Sequence, residues 1–158
     1  MGTVLMEKVF ISENEQQTAK IAEALSEISK VGDIWALRGT LGMGKSVFAR
    51  AFIQHLTDAK EVPSPTFTLV QMYVAPHFEI YHYDLYRLEK ASDIFELGVE
   101  EAFYNGVCLI EWPEKMENLA PRNMWNILIE PNEKGRKITV SAYDENKIQR
   151  LEECVKAQ

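Results

Sequence analysis

Residues 34–56 read IWALRGTLGMGKSVFARAFIQHL, and this stretch decides the fold of the chain. It begins with a four-residue apolar run, which is typical of a short buried strand. Its second half places Phe48, Phe52 and Leu56 at intervals of four residues, which predicts a helix with one apolar face. Between the two, residues 39–46 read GTLGMGKS, which fits the spacing G-x-x-x-x-G-K-[ST]. A strand, a glycine-containing loop and a helix in this order indicate a loop that binds phosphate groups.

The spacing of this loop has a physical reason. Glycine lets consecutive backbone N–H groups turn inward without Cβ clashes, and these groups form a concave site for anions. The helix that follows adds its free N–H groups and the positive end of its dipole. We expect Lys45 to reach the β- and γ-phosphates of a nucleoside triphosphate and the Ser46 hydroxyl to bind Mg²⁺. The residues predicted to hold the nucleotide here are Leu41, Gly42, Met43, Gly44, Lys45, Ser46 and Val47.

The length and composition of the chain limit its class. Its 158 residues predict one domain over 1–158 that is large enough to bury a substantial core. The net charge of −7 disfavours direct binding of a nucleic acid by the chain as a whole. Cys108 and Cys154 are too few and too far apart for a zinc site or a disulfide framework. The sequence shows no apolar run of membrane-spanning length and no signal-peptide pattern, so we expect a cytoplasmic protein without a membrane partner.

Before the loop, hydrophobic periodicity predicts one strand and one helix. A strand over 4–11 leads to Ser12, which we expect to cap a helix over 13–30 that stops at Gly32. Strand, helix, strand, loop and helix in succession predict parallel βαβ construction. The predicted fold is therefore α/β: a P-loop nucleotidase-like three-layer fold, whose central parallel sheet is extended by antiparallel strands or hairpins.

After the loop helix, strands and helices no longer alternate simply. A helix over 92–104 is expected to start at Ser92 or Asp93. Pro113 is well placed as the first residue of a short helix that ends at Leu119. The other predicted elements are a hairpin of 67–74 with 78–86, a buried strand over 107–111, a hairpin of 124–130 with 137–142 and a helix over 144–156.

A magnesium–nucleotide complex needs a second protein anchor for the metal, usually an acidic residue at the end of a neighbouring strand. Glu111 ends an unbroken apolar run, which favours it as the metal ligand. Asp84 is the alternative; if Glu111 binds the metal, Asp84 becomes a candidate for an outer contact to it or for orienting the attacking water. A surface carboxylate paired with Arg87 or His82 is an equally open interpretation of Asp84.

Three other residues near these carboxylates have the right chemistry for a role. Thr66, in the S-P-T sequence at 64–66, follows the loop helix, where related nucleotidases carry a segment that senses the γ-phosphate. Its hydroxyl is a candidate to contact Mg²⁺ or the γ-phosphate, although such a sequence is more often only a stiff turn. His82 has the titration range of a base, but a hydrogen bond across strands is its commoner role. Trp112 is interpreted as a core or interface aromatic rather than a stacking platform.

The sequence also bears on the base of the nucleotide. The N-K-x-D motif of GTPases is absent, since residues 146–149 read NKIQ. Adenine is therefore favoured, and the expected cofactors are ATP/ADP with Mg²⁺. Asn132, Gly135 and Arg136, in the loop of the second hairpin, are candidates to lie over the base.

Four motifs in this order resemble the TsaE family: the loop at 39–46, SPTF at 64–67, H-x-D-x-Y-R at 82–87 and E-W-x-E at 111–114. The loop alone is shared by many unrelated nucleotidases, whereas the ordered set covers almost the whole chain. The resemblance places the family's loop lysine and serine on Lys45 and Ser46, its strand-end acid on Glu111 and its H-x-D aspartate on Asp84.

The resemblance implies an Mg²⁺-dependent ATPase needed to form threonylcarbamoyladenosine at position 37 of tRNA. It implies that hydrolysis drives or resets a pair of partner proteins, TsaB and TsaD, and that tRNA is contacted only through them. Lys45, Thr66 and Asp84 are the predicted catalytic residues, with Ser46 and Glu111 at the metal. Because no arginine finger can be named, we expect slow turnover alone and stimulation by the partners. A small-molecule kinase, with Asp84 as base, and a nucleotide-gated binding module with negligible hydrolysis are the alternatives.

Overall fold

The structure is a computed structural model that describes residues 6–39 and 44–156. Its strands are β1 (Met6–Ser12), β2 (Ile34–Arg38), β3 (Val70–Val74), β4 (Glu79–Asp84), β5 (Gly106–Glu111), β6 (Trp125–Asn132) and β7 (Gly135–Ala142). Its α-helices are α1 (Glu15–Glu27), α2 (Lys45–Leu56), α3 (Val99–Asn105) and α4 (Glu145–Lys156). Two 3₁₀-helical segments span Ala91–Leu97 and Pro113–Leu119.

The strands form one mixed sheet in the order β1-β7-β6-β2-β5-β4-β3. The four central strands, β6, β2, β5 and β4, are parallel to one another. The edges are antiparallel: β3 pairs with β4, while β7 pairs with both β6 and β1. The expected parallel centre, extended by two hairpins, is therefore confirmed.

Both faces of the sheet are covered, which makes three layers. Side chains alternate along β2, so Trp35 and Leu37 pack in one apolar cluster while Ile34 and Ala36 pack in another. The first cluster contains buried residues of α1, α2 and α4, and the second contains those of α3 and the 3₁₀-helical segments. A strand buried on both faces reads as a continuous apolar run, which is the signal present at residues 34–37.

Helix α1 is shorter than its periodicity predicted, and Ser12 and Gly32 were wrong as its limits. Asn14 caps the helix instead, because its side-chain oxygen accepts a hydrogen bond from Gln17 N at 2.9 Å. Ser12 is the last residue of β1, where its hydroxyl lies 2.6 Å from that of Thr18. At the other end the chain leaves α1 after Glu27.

The predicted helix over 92–104 is two elements rather than one. Gly98 has a left-handed backbone (φ 69°), which ends the 3₁₀-helical segment and begins α3. The start at Ser92 or Asp93 was also wrong. The cap position is Lys90, and Asp93 contributes from inside the helix by accepting a hydrogen bond from Lys90 N at 3.2 Å.

The sheet brings two acidic residues to one edge. Asp84 and Glu111 are the last residues of β4 and β5, and they are register partners in this parallel pair. Their side chains therefore emerge beside each other at the carboxyl edge, next to the amino end of α2. No helix in the described residues is long and apolar enough to cross a membrane.

Candidate nucleotide and metal site

A cavity of about 510 Å³ lies at this carboxyl edge. Three parts of its wall come from the elements that the sequence singled out: the amino end of α2, the ends of β4 and β5, and the segment 64–66. A fourth part comes from the junction of β1 with α1 and from the start of β7. The cavity is therefore built from both halves of the chain.

Most of the predicted site residues line this one cavity. Those that do are Gly44, Lys45, Ser46, Val47, Thr66, Asp84, Glu111 and Arg136. Gly135 also lines it, but the placement of Asn132, Gly135 and Arg136 in the hairpin loop was wrong: Asn132 ends β6, Gly135 and Arg136 begin β7, and Asn132 is not among the lining residues. The predictions for Leu41, Gly42 and Met43 lie outside the described residues. Shared placement does not assign the roles of these side chains, which remain predictions.

Lys45 contributes a buried cation to the cavity wall. The residue is only 5% exposed, and its Nζ has no hydrogen-bond partner among the described residues. Burial of an unpaired ammonium group is costly unless an anion compensates it. The nearest compensation is the ring of Trp112, whose centroid lies 4.1 Å from Nζ. A phosphate group in the cavity fits this cation far better than an aromatic ring does.

The amino end of α2 is suited to the same anion. Gly44 is the residue before the helix and has a left-handed backbone (φ 101°). It has no side chain that could accept a hydrogen bond from the first N–H groups of the helix. These donors, together with the positive end of the helix dipole, lie beside Lys45 and Ser46.

Glu111 is held by a histidine on the neighbouring strand. Its Oε2 lies 2.7 Å from His82 Nε2, and the two residues are 5% and 2% exposed. The expected cross-strand hydrogen bond of His82 is thereby confirmed. No hydrogen bond from the described residues reaches Oε1 of Glu111, and Glu111 is among the residues that line the cavity.

Asp84 is not a surface carboxylate, and its interpretation as a partner of Arg87 or His82 was wrong. It is 5% exposed; its Oδ1 accepts a hydrogen bond from Tyr86 N at 3.0 Å, and its Oδ2 accepts one from Thr66 Oγ1 at 3.1 Å. The reason is tertiary: β5 covers one side of β4, and the segment 64–66 covers its end.

Thr66 belongs to a short polar chain. Its hydroxyl donates to Asp84 and lies 2.7 Å from the hydroxyl of Ser64. The next residue, Phe67, is 81% exposed. The guanidinium of Arg87 lies over its ring, with Cζ 4.4 Å from the ring centroid. The segment is thus anchored to the sheet through Asp84 while its adjacent aromatic residue faces solvent.

The donor set is compatible with Mg²⁺ only in combination with a ligand. No group of three or more His, Cys, Asp or Glu side chains among residues 6–39 and 44–156 is arranged to hold a metal ion. Mg²⁺ prefers oxygen ligands and usually binds through one or two carboxylates together with phosphates and water. Glu111 and the Ser46 hydroxyl, beside the candidate phosphate site, fit this pattern.

Sequence reasoning missed the contribution of the β1–α1 junction. Ser12, Asn14 and Thr18 all line the cavity, although the sequence marked only Ser12, and as a helix cap. Glycine at position 135 lets β7 approach this junction closely, because a Cβ there would overlap the carbonyl oxygen of Ser12. The pairing of Ser12 with Arg136 in the β1–β7 ladder is a tertiary fact without a local sequence signal.

Trp112 was expected in the core or at an interface, and it lies in the cavity wall. Its backbone is left-handed (φ 59°), an unusual conformation for a bulky residue. Its ring contacts Tyr86 at a centroid distance of 5.0 Å, in addition to Lys45. Such strain is characteristic of functional sites, where the surrounding structure maintains it.

Comparison with known proteins identifies similar chains. The family model described as "Threonylcarbamoyl adenosine biosynthesis protein TsaE" matches residues 12–138. A "tRNA threonylcarbamoyladenosine biosynthesis protein TsaE" from Rickettsia felis is 39% identical over 131 residues, which cover 82% of this chain and 77% of the relative. A protein of the same name from Bacillus subtilis is 37% identical over 131 residues, 82% of each chain.

A solved structure extends the comparison to the fold. The crystal structure of YdiB from Bacillus subtilis superposes with a TM-score of 0.79 at 28% sequence identity, and the match covers 99% of this chain and 98% of that one. The cavity-lining residues, from Ser12 to Arg136, all fall inside the 12–138 segment that the family model matches. The chain therefore belongs to the TsaE family.

Proposed function

We propose that this protein is an Mg²⁺-dependent ATPase that supports the formation of threonylcarbamoyladenosine at position 37 of tRNA. The role in tRNA modification is supported by the names of its relatives. The observation that carries the ATPase proposal is the buried Nζ of Lys45, which finds no hydrogen-bond partner in the described residues and lies in a cavity that also contains Ser46 and Glu111. A cytoplasmic location is part of the proposal, because tRNA is the molecule that is finally modified.

The nucleotide is bound through its phosphates at the amino end of α2. Lys45 supplies the cation for the β- and γ-phosphates, and the first N–H groups of the helix supply hydrogen bonds. Arg136, which also lines the cavity, is proposed to contact the adenine or ribose. The backbone of residues 41–43 belongs to the same proposal.

Ser46 and Glu111 are the proposed Mg²⁺ ligands. When bound, Mg²⁺ neutralises the charge that develops on the transferred phosphoryl group. Glu111 is preferred to Asp84, since both oxygens of Asp84 already accept hydrogen bonds, whereas Oε1 of Glu111 accepts none from residues 6–39 and 44–156. Asp84 instead positions Thr66, whose hydroxyl is then ready to contact the γ-phosphate end and sense its loss.

The output of hydrolysis is proposed to act on TsaB and TsaD, the partner proteins, and to reach tRNA only through them. The net charge of −7 agrees with this indirect role, because an acidic chain is poorly suited to hold a polyanion. We expect slow hydrolysis by the protein alone and an increase when the partners bind.

The test is a reconstituted reaction with TsaB, TsaD, threonylcarbamoyl-AMP and tRNA, in which phosphate release and tRNA modification are measured together. The wild-type protein should release phosphate without any phosphorylated small molecule, and Glu111→Gln should lose hydrolysis more than nucleotide binding. A phosphorylated metabolite would instead identify a kinase. Full multi-turnover tRNA modification by a Glu111→Gln protein that binds but does not hydrolyse ATP would identify a nucleotide-gated module.

A further inference from the structure

The imidazole of His82 is placed behind Glu111 rather than in the cavity. His82 is 2% exposed and is not among the residues that line the cavity, whereas Glu111 is. Its Nε2 lies 2.7 Å from Glu111 Oε2, and its Nδ1 is buried without a hydrogen-bond partner among the described residues. Within the described part of the chain, His82 therefore has one polar contact, and that contact is the proposed metal ligand.

The chemistry of the contact defines the direction of the hydrogen bond. An ionised carboxylate can only accept, so Nε2 of His82 carries the hydrogen and donates it to Oε2. Among the described residues, no acceptor lies within hydrogen-bond distance of Nδ1, so a hydrogen on Nδ1 would have no partner there. The inference requires only the Nε2–H donor, which both the neutral Nε2–H tautomer and the protonated ring provide.

The hydrogen bond restricts a group that is otherwise free to rotate. The terminal torsion of glutamate has a broad, roughly two-fold energy profile, so its two oxygens exchange positions easily. Holding Oε2 against His82 leaves Oε1 as the oxygen on the cavity side. The carboxylate is then presented in a single orientation, and the conformational entropy of the side chain is lost at folding rather than at ligand binding.

The β4–β5 ladder makes this contact possible. His82 and Leu109 are register partners, as are Asp84 and Glu111, so His82 lies one side-chain step behind the carboxylate on the same face of the sheet. Leu109 belongs to the apolar cluster under α2. The histidine thus lies between the apolar cluster under α2 and the carboxylates at the edge of the sheet.

We propose that His82 is a positioning residue: it holds one oxygen of Glu111 so that the other is directed toward the cation of the bound nucleotide complex. This inference rests on the proposed function, in which Glu111 binds Mg²⁺. In metal sites, loss of such an outer hydrogen bond typically costs about 10- to 100-fold in metal affinity.

The test separates the magnesium contribution from nucleotide binding. ADP is titrated calorimetrically into the wild-type protein, His82→Gln and His82→Met, with and without Mg²⁺. Glutamine places an amide donor near the position of Nε2, whereas methionine has similar length and no donor. We expect similar affinities without Mg²⁺, an approximately 10-fold smaller gain from Mg²⁺ in His82→Met, and a gain in His82→Gln that is within about threefold of wild type.

The outcomes distinguish the two proposals. If the wild-type protein binds no ADP, the proposed function fails; if it binds but gains nothing from Mg²⁺, the assigned metal site fails. If folded His82→Met keeps the wild-type gain, or if His82→Gln loses as much as His82→Met, the positioning role is overturned. Should His82→Met not fold, His82→Asn replaces it, because its shorter amide reaches only the position of Nδ1, and an Asn variant equal to Gln would overturn the inference.

Discussion

Lys45 Nζ lies 4.1 Å from the centroid of the Trp112 ring, inside the cavity where a phosphate is proposed to bind. Nζ has no hydrogen-bond partner among the described residues, and its cation–π contact with the ring offsets the cost of burial by only about 0.5–2 kcal/mol. Charge-assisted hydrogen bonds to phosphate are stronger. We therefore expect a nucleotide to draw Lys45 away from Trp112.

The first prediction is that Trp112 reports nucleotide binding by fluorescence. Displacement of Lys45 changes the electric field at the indole ring, so MgADP should change the tryptophan emission. The other two tryptophans, Trp35 and Trp125, are fully buried in the core and should not respond. Trp112→Phe should abolish the signal while calorimetry still detects binding. An equal emission change in Trp112→Phe would refute the assignment.

The second prediction concerns Lys45 itself. Lys45→Ala removes charge-assisted contacts worth about 1.5–3 kcal/mol each, so ADP affinity should fall by at least about tenfold. The same change also removes a buried cation that has no hydrogen-bond partner in the part of the chain that the structure describes. Without nucleotide, the free energy of unfolding in urea should therefore be unchanged or higher. Lys60→Ala, at an exposed position, serves as control and should alter neither quantity. A large loss of stability in Lys45→Ala would contradict this account.

The third prediction concerns the ion pair of Arg150 with Asp33, 117 residues apart. Arg150 donates from Nη1 to Oδ2 at 2.6 Å and from Nη2 to Oδ1 at 3.0 Å, and both residues are at least 92% buried. Arg150→Leu leaves the carboxylate of Asp33 buried without its cation, which should cost about 3–5 kcal/mol in urea unfolding. Arg122→Leu, at an exposed arginine, should change stability by less than about 0.5 kcal/mol.

The double variant Asp33→Asn/Arg150→Leu provides the matching control for this pair. It removes both charges, so it should be more stable than Arg150→Leu alone. Equal stability of the single and double variants would mean that the Asp33 carboxylate is not destabilised by the loss of Arg150 and that the ion pair contributes little.

The fourth prediction compares two glycines. Gly98→Ala requires a left-handed alanine but meets no neighbouring atom, so it should cost about 1–2 kcal/mol of stability and leave ADP affinity unchanged. Gly135→Ala would overlap the Ser12 carbonyl oxygen and push β7 away from the β1–α1 junction. It should lower both stability and ADP affinity, as measured by urea unfolding and calorimetry. Unchanged ADP affinity in a folded Gly135→Ala variant would mean that the β1–α1 junction does not contribute to ADP binding.

The fifth prediction concerns pH and Cys108. Burial raises the pKa of this thiol from 9.0 to about 12, because the thiolate loses its hydration in the apolar core. Since the unfolded chain ionises near pH 9 and the native protein does not, Cys108 lowers stability as pH rises from about 9 to 12. Cys108→Ala should show a weaker decline of stability over this range. An identical decline in both proteins would assign the pH dependence to other groups.

Sequence patterns succeeded where the deciding interactions are local. The apolar run before the loop and the four-residue period of Phe48, Phe52 and Leu56 each depend on near neighbours, and both elements were predicted almost to the residue. The pattern failed at Gly98, since a glycine is compatible with a helix and only its left-handed backbone divides the segment. It failed likewise at the start of α1, where Ser12 and Asn14 are both suitable cap residues and only the structure shows that Asn14 is the cap.

By itself, the sequence determined the phosphate-binding motif, the parallel centre of the sheet and the acidic end of β5, because each depends on residues close together in the chain. Only the tertiary structure decided that His82 holds Glu111, that Trp112 covers Lys45 and that the β1–α1 junction closes the cavity. These relationships depend on which strands become neighbours and in what register. A strand pattern specifies its own two faces, but the burial of distant segments against each other selects its partner.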